Sequence, residues 1–268
     1  MARLSVLGGT FRAEFLMQIR RVSVWIAVGL LGLIIFALWY GIASDSLYPH
    51  YSAERHTLIQ PSQSDAILGW AQLLAMFLPL GVGLLLADRL ARDRKLHVDE
   101  ILDTLPGSLG ARLAGKWLGS ALATFVPIVL IYTAVVVYIV TQAPGLSGFR
   151  LAAAAFMTVL LPGMVFVTGF SVAFPAVLKV PVYQFLFTGY WFWANLMSPK
   201  IGIPSIVGTM LNAAGPWAQE GIFNFQWSFL RLHATPAQGY LSIALLSGLG
   251  ILAVVSVWVY LRWQAARQ

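Results

Sequence analysis

Hydrophobic positions along the chain gather into six long runs, separated by polar stretches and by Gly/Pro breaks. The runs cover about 22–43, 66–87, 117–141, 151–178, 180–198 and 238–261. A helix needs roughly 20 apolar residues to cross about 30 Å of hydrocarbon, and each run is of that order. The pattern therefore predicts six transmembrane helices. The fourth and fifth are separated only by Leu178-Lys179-Val180-Pro181, which demands a tight turn. Pro79, Pro127 and Pro162 fall inside runs, where each removes a backbone donor and can kink its helix. Residues 4–19 precede the first run, with Leu4, Leu7, Phe11, Phe15 and Ile19 along one side. That spacing predicts an amphipathic helix lying at the membrane surface.

Composition sharpens the class. Of 268 residues, 59% are apolar and 10% charged, against about a quarter charged in an ordinary soluble domain. Mean hydropathy is +0.79. A soluble enzyme and a disordered chain are both excluded. An outer-membrane barrel would alternate polarity in segments of about ten residues, which these runs do not. The fold class is an all-α polytopic membrane protein forming a single transmembrane domain over 1–268. With no cysteine, no disulfide, thiolate metal site or thiol nucleophile is available.

Charge then orients the spans. With the N-terminus inside, the inner segments hold 13 of the 17 Lys and Arg, and the outer ones hold Arg55, Arg150, Lys200 and Arg231. The acids divide six inside and four outside, so the whole net charge of +7 lies on the inner side. This is the positive-inside pattern rather than a nucleic-acid face, and it places both termini in the cytoplasm. The first run is too long for a secretory signal and begins only after Arg21, so it is expected to remain as a span.

Candidate chemistry inside the membrane is sparse. None of the six runs carries Asp, Glu, Lys or Arg in its interior. Ion-coupled transporters place such groups at mid-membrane, so a self-powered transporter is disfavoured. His50, His56, His97 and His233 all fall in loops. The stretch Gly169-Phe170-Ser171-Val172-Ala173 lacks the last glycine of a nucleophile elbow, and no phosphate-cradling Gly-Lys-Ser/Thr loop occurs. The chain is read as non-catalytic and without a cofactor. If it moves something uphill, another chain must supply the energy.

Two loops carry positive information. In the inner loop 88–116, Val98, Ile101, Leu102 and Leu105 share one face of a short helix ended by Pro106 and Gly107. Asp99, Glu100 and Asp103 lie on its other faces. Interfacial helices favour Lys and Arg against an anionic leaflet. An apolar strip beside acids instead suits a groove on a basic protein. The outer segment 199–237 is unusually apolar, with Trp217, Phe223, Phe225 and Trp227 among its residues. Pro204, Gly215-Pro216 and Gly221 cut it into pieces too short to span. Such pieces fit a re-entrant hairpin that helps close an outer gate, because irregular backbone at membrane depth must be buried in protein; the alternative is a paddle for a second protein outside the membrane.

The inner loop resembles that of the integral membrane subunits of ABC transporters, in the type-2 exporter permease class. The matching residues are Ala87-Asp88, Asp93-Arg94-Lys95, Glu100-Ile101-Leu102, Thr104-Leu105-Pro106 and Gly115-Lys116. His97 stands where the family usually has glycine, and Asp93 where glutamate is commoner. The resemblance implies that 1–21 is the family's elbow helix and 88–116 its coupling loop. Val98, Asp99, Glu100, Ile101, Leu102, Leu105 and Pro106 would form the coupling helix. It further implies two ATP-binding-cassette ATPase subunits, which would hold ATP and magnesium, and a second permease subunit, identical or homologous. The expected location is a bacterial inner (cytoplasmic) membrane, among lipids and not nucleic acid. The implied function is export of a substrate that the resemblance does not identify; the apolar, uncharged spans fit a hydrophobic or amphipathic one better than an ion. The competing reading is a non-transport scaffold or mechanotransmission component on the same fold.

Overall fold

The computed structural model describes residues 2–43, 50–52, 57–59, 62–89, 108–142, 147–197, 202–226 and 232–267. Within these the chain is helical apart from loops and one small ribbon. Helix α1 is Ala2–Ile19 and α2 is Val22–Ala43. Strands β1 (His50–Ser52) and β2 (Thr57–Ile59) pair antiparallel, with Tyr51 opposite Leu58. Helix α3 is Gln63–Leu86 and α4 is Leu109–Gln142. Helix α5 (Ser147–Ala155) runs through a π turn (Phe156–Leu160) into α6 (Leu161–Ala173) and a 3-10 turn, Phe174–Ala176. Helix α7 (Val180–Trp191) ends in a second π turn, Phe192–Leu196. A short α8 (Pro216–Phe223) precedes the long α9, Pro236–Ala265.

Five of these helical stretches are long and apolar enough to cross a membrane: 22–42, 63–86, 109–142, 147–176 and 236–264. The chain is thus a multi-pass membrane protein, since in lipid only elements that satisfy their own backbone can span. The fifth expected span, 180–198, is a shorter helix that gives way to loop at Met197.

Helix α3 is the core. Its most apolar window is 72% buried within the protein, against 28% for α2. Trp39, Trp70, Ile67, Leu74 and Leu78 are fully enclosed around it. Its neighbours also reach its backbone carbonyls. Trp39 Nε1 donates to Ala66 at 3.1 Å, Gln219 Nε2 to Leu68 at 2.8 Å, Trp191 Nε1 to Met76 at 2.8 Å and Gln184 Nε2 to Leu84 at 3.2 Å. Each carbonyl can accept a second bond beside its helical one, because it has two lone pairs.

Helix boundaries have local causes. Ser62 caps α3 by accepting from the Asp65 amide, and Asp65 adds a negative charge in the first turn. Thr235 and Gln238 form a capping box at the start of α9, with Pro236 in the first turn. Pro162 follows the first π turn, in which the Leu161 amide reaches back five residues to the Phe156 carbonyl. The widened turn absorbs the donor that proline lacks.

Helix ends sort to two ends of the bundle. Arg21 meets Asp88, Glu14 meets Arg89 and Lys116, and Gly110 lies against Trp258. These contacts bring the start of α2, the end of α3, the start of α4 and the last turns of α9 together. The opposite end holds Trp39 against Ala66, and residues 212–221 against α3 and α9.

Candidate functional site

At the first end, α1 lies along the beginning of α4. Two glycines make that possible. A Cβ on Gly115 would stand 2.9 Å from the Leu7 carbonyl oxygen, and one on Gly119 2.6 Å from that of Phe11. The backbones therefore touch, as at the small-residue interfaces of membrane helices.

The face that α1 turns inward differs from the amphipathic expectation. Leu7, Phe11, Phe15 and Ile19 are half-buried, but the deepest positions are Glu14 and Gln18. Leu16 and Met17 are exposed instead. Gln18 Nε2 donates to Thr124 Oγ1 at 3.4 Å. Glu14 faces two cations: Arg89 Nη2 lies 2.6 Å from its Oε2, and Lys116 Nζ lies 3.6 Å from its Oε1. Ser120 Oγ adds a hydrogen bond to the same carboxylate at 3.4 Å. The three charged side chains are each less than a tenth exposed. One carboxylate thus shares two buried cations, in surroundings where losing an opposite charge is costly. Arg21 and Asp88 make a second, more open pair at 3.3 Å.

This buried charge cluster is the feature that the apolar runs conceal. Helix α4 begins eight residues before the expected span at 117, so Lys116 belongs to a helix and not to a loop. The signal was nonetheless present. Gly115, Gly119 and Ala123, with Lys116, Ser120 and Thr124 beside them, form two stripes of small and polar residues at four-residue spacing. A stripe of that kind marks a face made for another helix.

At the second end, residues 202–226 fold into the protein. Ala213, Ala214, Ala218, Gln219 and Gly221 are buried. Side-chain amides satisfy the irregular backbone there. Gln72 Nε2 donates to the Ala214 carbonyl at 3.1 Å, and the Ala213 amide donates to Asn195 Oδ1 at 2.8 Å. Asn212 Nδ2 donates to the Val207 carbonyl at 2.7 Å, while its Oδ1 accepts from the Ala214 amide at 3.0 Å. Gly215 is required where it stands. Its φ is +76°, and a Cβ would lie 2.8 Å from the Val159 carbonyl oxygen. Glu220 is buried and holds two points of the following chain. It accepts from Gln226 Nε2 at 3.3 Å and from the Leu232 amide at 3.0 Å.

The residues singled out from sequence fall unevenly on this framework. Trp217 lies half-buried in α8, and Phe223 and Phe225 pack partly buried against the core around Trp39 and Trp70. Trp227 lies outside the described residues, as do Val98, Asp99, Glu100, Ile101, Leu102, Leu105 and Pro106. Among the described residues no three histidine or carboxylate side chains converge as a metal would need. The chain matches no protein-family model, no curated protein and no solved structure.

Proposed function

We propose that the chain is the membrane-spanning permease subunit of an ATP-driven exporter. Six helices would cross the inner membrane, with 180–196 as a short fifth span, and the Glu14 end would face the cytoplasm. The observation that carries the reading is the joint between α1, the end of α3 and the start of α4. These elements bracket residues 90–107, the stretch whose sequence carries the ATPase-docking pattern. Docking there would push on two spans and the surface helix together. The spans would then alternate access to a pathway shared with a second permease subunit. ATP and magnesium would be bound by two separate ATPase subunits, and hydrolysis would occur there.

None of the six apolar runs carries a charged residue in its interior. An uncharged path through them favours a hydrophobic or amphipathic cargo over an ion. Buried packing of 202–226 against α3, α6 and α9 supports a re-entrant outer segment; Trp217, Phe223 and Phe225, joined by Trp227 on the sequence pattern alone, would form its gate. A scaffold that transmits force without transport is the second reading, and the same joint would serve it.

Ile101→Asp with Leu102→Asp tests the proposal. The doubly substituted chain should still enter the membrane but no longer co-purify with an ATP-binding-cassette ATPase subunit that the native chain retains, and ATP-dependent efflux should be lost. Retained co-purification and full transport would remove the docking assignment. Docking with ATP turnover that no cargo stimulates would favour the scaffold.

A further inference from the structure

We infer that Glu14 is a clasp: by facing Arg89 and Lys116 at once, it makes helix α1 and the two flanks of residues 90–107 one mechanical unit. The inference deepens the function proposed above, which gives 90–107 to an ATPase. What it says of Glu14, Arg89 and Lys116 concerns this chain alone.

The geometry points to a clasp and not to a floating surface helix. A helix resting on headgroups keeps its charges in water and its apolar side chains in the lipid. Here Glu14 is buried at 6% exposure, while Met17 is 56% exposed. Protein, not lipid, therefore sets the rotation of α1. The contacts divide by what they join. Gly115, Gly119 and the Gln18–Thr124 bond tie α1 to α4 alone. Among the described side-chain hydrogen bonds and ion pairs, Glu14 is the one that reaches from α1 itself to the stretch just past α3, through Arg89 at 2.6 Å. The nearby Arg21–Asp88 pair starts from the turn after α1 and is far more open, with side chains 28% and 38% exposed.

Charge makes the clasp directional. Two cations converge on one carboxylate, so neutralising it sets Arg89 and Lys116 against each other at short range. Repulsion in a buried site is poorly screened. The end of α3 and the start of α4 would then separate, and α1 would lose its deepest anchor. With the carboxylate in place, a displacement at residue 89 or at 108–116 carries α1 with it.

Hydrogen exchange on the full chain in lipid nanodiscs tests this, with Glu14→Gln and Glu14→Asp beside the native protein. A single cysteine at Thr10, on the side of α1 that meets Gly115, gives a second readout. In E14Q we expect labelling at position 10 to rise at least tenfold. Exchange at 84–89 and 108–116 should rise in the same preparation. E14D keeps the charge but withdraws it by one methylene, and should move both readouts less, in the same direction. If α1 loosens in E14Q while both flanks keep native exchange, the clasp is refuted, as it is if neither readout moves. Should E14Q fail to fold, E14D decides: a parallel rise supports the clasp, and unchanged flanks overturn it. None of these readouts needs an ATPase, so they stand or fall separately from co-purification.

Discussion

Gly169 of α6 and Gly250 of α9 meet backbone to backbone. A Cβ on Gly169 would overlap the Gly250 carbonyl oxygen, and one on Gly250 would lie 2.5 Å from the Val165 carbonyl oxygen. Neither obstacle is a side chain that could rotate away. The crossing of these two helices is therefore set by the absence of two methyl groups.

Gly250→Ala should destabilise the protein by about 1–3 kcal/mol, the usual range for overpacking. Gly169→Ala should cost at least as much, because its obstruction is the closer one. The double variant should fall short of the sum, since both act on one crossing. Thermal unfolding in detergent, followed by tryptophan fluorescence, reads all three. Unchanged melting of both single variants would mean that the helices sit farther apart.

Gln219 and Gln72 fasten the 202–226 segment to α3 from opposite sides of the contact. Gln219→Leu removes the bond to the Leu68 carbonyl and should cost about 1 kcal/mol, the net worth of one internal hydrogen bond. Its effect should be local. A cysteine reporter at Ala213 should label faster, while the melting of the helices shifts little. A global loss of stability without local labelling would argue that Gln219 serves the core and not the segment.

Accessibility along the same segment is predicted residue by residue. Because the native chain has no cysteine, single substitutions report cleanly. Cysteines at Thr209, Leu211 and Asn224 should react with an impermeant thiol reagent, and those at Ala213, Ala214 and Ala218 should not. In intact cells the reactive positions should label from outside, while Ser108→Cys stays silent. Labelling at 108 from outside would invert the proposed orientation. Gln219 is unsuited as a reporter of this segment's accessibility, because it lies in α8 and is 1% exposed.

Thr235→Ala should remove the acceptor for the Gln238 amide and break the capping box, at about 1 kcal/mol. Faster exchange at 236–240, with the rest of α9 unchanged, is the expected result. Thr235→Ser should restore the native rate, since serine offers the same oxygen.

Elements whose burial depends on their own composition were readable from the chain. Helix α2 has the same ends, Val22 and Ala43, as its apolar run. The turn at Leu178 and Lys179 is as tight as its length requires. Asn212 satisfies irregular backbone within 202–226, as an amide placed among apolar residues suggests, whereas Gln219 reaches out of the segment to the Leu68 carbonyl of α3. What escaped depends on partners distant in sequence. An acid in an amphipathic stretch is assigned to water by default, and Glu14 is buried only because Arg89 and Lys116 arrive from 75 and more residues away. The π turns at 156–160 and 192–196 escaped too, since one extra residue in a turn leaves no compositional trace. The second is closed by the Met197 amide on the Phe192 carbonyl, and within it Asn195 accepts from Ala213.

The enclosure of α3 has a consequence for how this sequence can drift. Each of its sides is claimed by a different neighbour, and its carbonyls serve donors from α2, α7 and α8. A change in its side chains therefore meets several independent constraints at once. Helix α2, which shows most of its surface to the surroundings, meets few beyond being apolar. Among distant descendants of one ancestor, α2 would diverge almost freely within the aliphatic alphabet. Helix α3 would keep its spelling, and it is the segment from which remote kinship should first become visible.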